Sequence, residues 1–234
     1  MNEDKPQYLQ VDTYVVSTWQ NKPHMSVGKQ PLLFRDIDGN IMLTAKVGVM
    51  ERGSTLIDQN GKSVGFIKKK GISITNKATY LFFDGNNNQI GEAEINSGWT
   101  GLKETISIKD PQGNVAAVAQ GSFMNANYSI TDPNLNKVLV NISQDKELLQ
   151  RIEHKTTGHE EGMLNKIAGT MMAFGFGAYK VEIVSSGIND LSRLLILELI
   201  VVLDEMFSKA STPMGGVGMG GLGGGGIGMG GFKI

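Results

Sequence analysis

The sequence predicts an all-β fold with a core helix: about twelve antiparallel strands closed into a barrel and wrapped around a hydrophobic C-terminal helix. Three observations predict it. Five segments repeat one pattern, an apolar strand, a polar turn containing aspartate and a second apolar strand. Two more strand-like segments, TYVVSTW near the start and AYKVEIV from Ala178, flank them. One long apolar helix follows the last strand.

The hairpins are LLFRDIDGNIMLTA from Leu32, STLIDQNGKSVGFI from Ser54, YLFFDGNNNQIGEAEI from Tyr80, ETISIKDPQGNVAAVA from Glu104 and NYSITDPNLNKVLVNI from Asn127. Their turn aspartates read as Asp38, Asp58, Asp84, Asp110 and Asp132, at spacings of 20, 26, 26 and 22 residues. Such spacing suits a repeated hairpin. Asp and Asn bond their own backbone in turns, Gly supplies positive φ, and Pro111 and Pro133 preset φ. The flanks alternate with period two, so Ile106 and Ile108 share a face, as do Tyr128 and Ile130. Twelve strands exceed what an open sheet carries without curling, and closure removes exposed edges.

The helix is predicted to start at Asn189–Asp190, a good N-cap pair, and to run through LSRLLILELIVVLDEMFSKA. Leu194 to Leu203 is apolar on every side except at Glu198. Arg193, Glu198 and Asp204 cut the apolar run well below the roughly twenty residues that cross a bilayer. The helix is therefore expected inside the barrel, with Leu194, Leu195, Leu197, Val201 and Val202 as core contacts. The expected organisation is a flexible N-terminus over residues 1–12 and a barrel domain over 13–210 with an insertion near 154–177. A disordered tail rich in Gly and Met would occupy 211–234.

Composition excludes several functions. With no cysteine, disulfide scaffolds, thiol nucleophiles and thiolate metal sites are ruled out. Lys+Arg total 22 against 23 Asp+Glu, a balance that argues against nucleic acid as partner. The polar start MNEDKPQYLQ has no signal-peptide character, so a cytoplasmic protein, peripheral at the membrane, is expected. No nucleophile–base–orienter set, Gly-x-Ser-x-Gly or phosphate-loop motif is present, so no catalytic residue, cofactor or enzyme activity is expected.

Five features remain. Asp36, Asp38, Gly39 and Asn40 mimic a calcium loop, but the glycine comes at position four rather than six and Val47 stands where a glutamate is needed, so a hairpin turn is the better reading. His154, His159, Glu160 and Glu161 match no metal spacing and read as a polar loop, so no metal is expected. Lys68, Lys69 and Lys70 are the candidate lipid- or anion-binding residues, with Lys68 and Lys70 on one face of a strand; the competing reading is an edge guarded by lysine. Glu198 is expected to face a barrel mouth or to pair with a base. Met171, Met172, Phe174 and Phe176 form a candidate membrane-contact segment.

The Asp-Gly hairpins, GSFMNANYSITD from Gly121 to Asp132, YKVEI, Asp190 and LLILELIVVLDEMF together resemble the LURP-one-related family. That family belongs to the tubby-like C-terminal superfamily, with the phospholipid scramblases. The resemblance spans roughly Tyr14 to Phe207. It implies a twelve-stranded antiparallel barrel around the C-terminal helix. It also implies a non-enzymatic lipid- or phosphoinositide-binding, scramblase-like module whose partner is an anionic phospholipid surface. The alternative is a structural barrel that meets a protein partner through its inserted loop and glycine-rich tail.

Overall fold

A computed structural model describes residues 5–17, 31–47, 53–70, 77–96, 104–122, 127–157, 178–184, 188 and 190–210. The strands are β1 (Thr13–Ser17), β2 (Leu32–Arg35), β3 (Ile41–Val47), β4 (Ser54–Asp58), β5 (Ser63–Lys70), β6 (Lys77–Asp84), β7 (Gln89–Asn96), β8 (Glu104–Lys109), β9 (Val115–Ser122), β10 (Asn127–Asp132), β11 (Lys137–Ser143) and β12 (Ala178–Ile183). Helix α1 (Lys146–Thr157) lies between β11 and β12, and α2 (Asp190–Ala210) follows β12.

Every strand pairs antiparallel with the next, and β12 closes the ring on β1, from Thr13 opposite Glu182 to Ser17 opposite Ala178. The twelve-stranded closed barrel expected from the hairpin pattern is present. Its interior face collects every second residue, among them Tyr14, Phe34, Leu43, Phe82, Ile106 and Ile130, all buried. Helix α2 packs into this core through Leu194, Ile196, Leu197, Leu199, Ile200, Val201, Val202 and Leu203, which are buried, and Leu195, which is partly so. The barrel encloses the helix because α2 is apolar around almost its whole circumference and has no wet side to present.

The five Asp turns lie at one end of the barrel. Arg193, in the first turn of α2, meets Asp12 just before β1 at that end, whereas Asp204 meets Tyr179 at the opposite end, where β12 starts. The helix thus runs from the turn end toward the end where β5 finishes. Residues expected as a flexible lead-in contribute a 3-10 turn, Gln7–Leu9, that packs on α2 and β3. Its Leu9 is buried, and the Tyr14 hydroxyl donates to the Tyr8 carbonyl.

Helix α1 covers the outer wall of the barrel. Asp145 caps it through the Leu148 N–H at 3.1 Å. Leu149 and Ile152 then bury Val15 from outside. This explains why β1 is buried on both faces rather than alternating.

Candidate functional site

The three lysines end β5, and the register divides them. Lys69 pairs with Tyr80, a buried residue of the barrel interior, so Lys69 points inward at the rim and is half-buried. Burial and the nearby Glu205 push the Tyr80 hydroxyl up to about 12. Lys68 and Lys70 pair with Leu81 and Thr79 on the outer wall and are exposed. Continuing around the barrel, Leu81 pairs with Glu92 and Glu92 with Lys109. Lys109 Nζ holds Glu94 at 2.7 Å and Glu92 at 3.5 Å. Lys180 is likewise held, by Asp145 at 3.5 Å and Glu182 at 3.6 Å. Among the described residues Lys68 and Lys70 have no such carboxylate. The result is a pair of open cations on a pleated wall rather than a cluster of three.

The turn aspartates serve their own backbone. In the first hairpin the capping aspartate is Asp36, not Asp38. Asp36 Oδ1 accepts the N–H of Asp38 at 2.9 Å and of Asn40 at 2.8 Å, and Oδ2 accepts the Asn40 amide at 2.8 Å. Asp84 repeats the geometry with Asn86 and Asn88. The carboxylate immediately before the glycine, Asp38, lies in the turn and does not cap it. With Asp36 as the first member, the five caps stand 22, 26, 26 and 22 residues apart. Positive φ falls at the fourth residue of the first four turns, at Gly39, Gly61, Asn87 and Gly113, and each turn is followed by a register slip. Among the described residues no group of three or more His, Asp or Glu is placed to hold a metal ion.

Glu198 neither faces a mouth nor pairs with a base. It is 0% exposed, and among the described residues neither carboxyl oxygen has a hydrogen-bond partner. Burial raises its pKa well above the usual carboxylate value. The Phe66 N–H opposes this without reaching hydrogen-bond geometry, and the Asp84 charge adds to it. The carboxyl fits because β5 has glycine beneath it: a Cβ on Gly65 would collide with Glu198 Oε1. Gly91 on β7 makes the same kind of room for Leu195.

A second buried polar group was not singled out from the sequence. Arg35, 1% exposed, is the register partner of Val15 on the outer wall and donates to Ser17 Oγ at 2.8 Å. Burial lowers its pKa. Its signal was an arginine in an otherwise apolar four-residue strand.

His154 lies on α1 and is exposed, while His159, Glu160 and Glu161 fall outside the described residues. So do Met171, Met172, Phe174 and Phe176, and the glycine-rich tail. Around the turn end the exposed large apolar residues are Ile37, Ile41, Val115, Leu135, Val138 and Val184, with Leu135 at 72% and Val184 at 52%. Val184 is joined to β11 by its N–H on the Leu139 carbonyl at 2.9 Å, so Val184, Val138 and Leu135 occupy neighbouring positions on the rim.

The fold defines a closed twelve-stranded barrel built around a helix. An X-ray structure of a protein from Arabidopsis thaliana, AT5G01750, shares this fold: TM-score 0.51, 10% identity, 86% of this chain and 96% of that chain covered. No protein-family model matches the chain, and no curated protein matches it. Among the described residues no helix is long and apolar enough to cross a membrane.

Proposed function

We propose that this protein is a tubby-like barrel of the LURP-one-related kind that binds anionic phospholipid at a membrane surface and is not an enzyme. The observation that carries the reading is Lys68 and Lys70: both exposed, on one outer face, and without a carboxylate partner among the described residues. Two lysines held close together on a rigid strand attract phosphate headgroups, each contributing about 1 kcal/mol near an anionic surface. Two strands further round the same wall, Glu92 and Glu94 are both engaged by Lys109 rather than by this pair. The barrel likeness to the Arabidopsis structure supports the fold half of the reading, and the sequence resemblance supports the lipid half.

The test is co-sedimentation with vesicles of phosphatidylcholine alone and with added phosphatidylserine or phosphoinositide. Binding is expected only with anionic lipid. Lys68→Gln with Lys70→Gln should weaken it on the order of tenfold or more, while Lys69→Gln should leave it nearly unchanged. Equal loss in both variants would show that the outer-face pair is not the site.

A second reading, a protein-interaction barrel, is favoured by the apolar rim of Leu135, Val138 and Val184. Light scattering across a concentration series would show self-association in the wild type, abolished by Leu135→Ser and Val184→Ser.

A further inference from the structure

We infer that Glu198 is a proton-controlled catch on the central helix: its carboxyl lodges against Gly65 as the neutral acid, so acid tightens the helix inside the barrel and base loosens it. The inference is independent of lipid binding. It begins with packing. Glu198 lies near the middle of α2 with both oxygens sealed from solvent and unpartnered. The carboxyl occupies the space that a side chain on Gly65 would fill. A charged carboxylate in that position would have lost its hydration and gained only the nearby Phe66 N–H, which is too poorly placed to make up the loss.

Among the described residues no cation compensates it from any element packed nearby. On α2 itself, Arg193 is committed to Asp12 at 2.6 Å and to the Val11 carbonyl at 3.0 Å. Toward the other end, Asp204 faces Tyr179, and Glu205 lies near Tyr80. From β5, Lys69 faces inward only at the far rim, and Lys68 and Lys70 face out. From β6, Asp84 adds a like charge and Tyr80 is a neutral phenol. From β7, Glu92 and Glu94 turn outward to Lys109. The 3-10 turn offers only Tyr8. Every charge that acts on Glu198 therefore favours the neutral form.

The linkage follows. The folded state binds this proton more tightly than the unfolded chain does. The contribution is full below the unfolded carboxyl's pKa and is lost as pH rises toward the folded value. Across that window one proton changes the folding constant about tenfold per pH unit. The cycle closes without any co-reactant: the proton leaves to water when the helix loosens and returns when it seats.

The experiment uses the full chain. Thermal melting of the wild type and of Glu198→Gln is followed from acid to alkaline pH. The amide keeps the shape and cannot ionise, so the melting temperature of Glu198→Gln should exceed that of the wild type by a gap that widens as pH rises. Parallel profiles would overturn the inference. If Glu198→Gln does not fold, Glu198→Met replaces it in the same comparison. Infrared difference spectra of the wild type supply a second readout: a protonated carboxylic C=O band should persist at neutral pH. Its absence would also overturn the inference.

Discussion

Arg193 Nη2 donates to Asp12 Oδ1 at 2.6 Å, across 181 residues of sequence. A second bond from Nη1 reaches the Val11 carbonyl at 3.0 Å. Together they tie the lead-in to the first strand onto the first turn of the helix that fills the barrel. The partners differ in burial. The Arg193 side chain is 10% exposed and that of Asp12 is 67% exposed. Removing the arginine loses two bonds and its packing, whereas removing the aspartate strands a buried cation with one partner left.

Arg193→Ala should cost about 2–3 kcal/mol, and Asp12→Ala about 1–2 kcal/mol. Urea unfolding checks both, with an unchanged slope expected because neither change alters the surface exposed on unfolding. The double variant should cost less than the two together, since they share one interaction.

Gly65→Ala should destabilise the fold by about 1–3 kcal/mol, because the added methyl collides with Glu198 inside a closed barrel. Pairing it with Glu198→Ala should recover part of that loss. A double-mutant cycle showing simple additivity would place the strain elsewhere. Gly91→Ala should be harmful for the same reason against Leu195.

Asp84 and Asp110 give the opposite pH sign from Glu198. Partial burial raises Asp84, but the Asn88 amide and the Asn88 and Asn86 N–H groups outweigh it and hold the carboxyl below its usual value. The Asn114 amide does the same for Asp110. A lowered folded value means stability present above the unfolded carboxyl's pKa and lost as pH falls through the folded one. Wild-type stability should therefore fall at both extremes. Asp84→Ala should shrink the acid limb and cost about 1 kcal/mol at neutral pH.

Vesicle binding through Lys68 and Lys70 should weaken as salt rises, since exposed charges are screened within about 10 Å at 0.1 M. Binding to anionic vesicles measured across a salt series should fall steeply for the wild type and only shallowly for Lys68→Gln with Lys70→Gln. A flat wild-type profile would show that apolar contact, not charge, holds the protein on the surface.

The hairpins were legible because their causes are local. Strand alternation depends on residues two apart, and an Asp turn is completed within five. Asp58, Asp84, Asp110 and Asp132 were assigned from those local rules, and the same alternation placed Lys68 and Lys70 together. The one misassigned cap shows the limit: Asp36 and Asp38 both suit a turn, and only the bulged register after Phe34 decides that Asp36 receives the N–H donors.

By itself, then, the sequence determined the strand pattern, the strand count, the turn chemistry and an apolar helix with nowhere to go but inside. Tertiary structure alone decided what depends on residues far apart in the chain. Among the described residues Glu198 meets no base because the strand beside it presents Gly65 there. Arg193 found Asp12 only because closure of the barrel brings the start of β1 beside the start of α2. Burial and pairing are set by what faces a side chain, and a barrel chooses those neighbours by its closure, which no local stretch of sequence encodes.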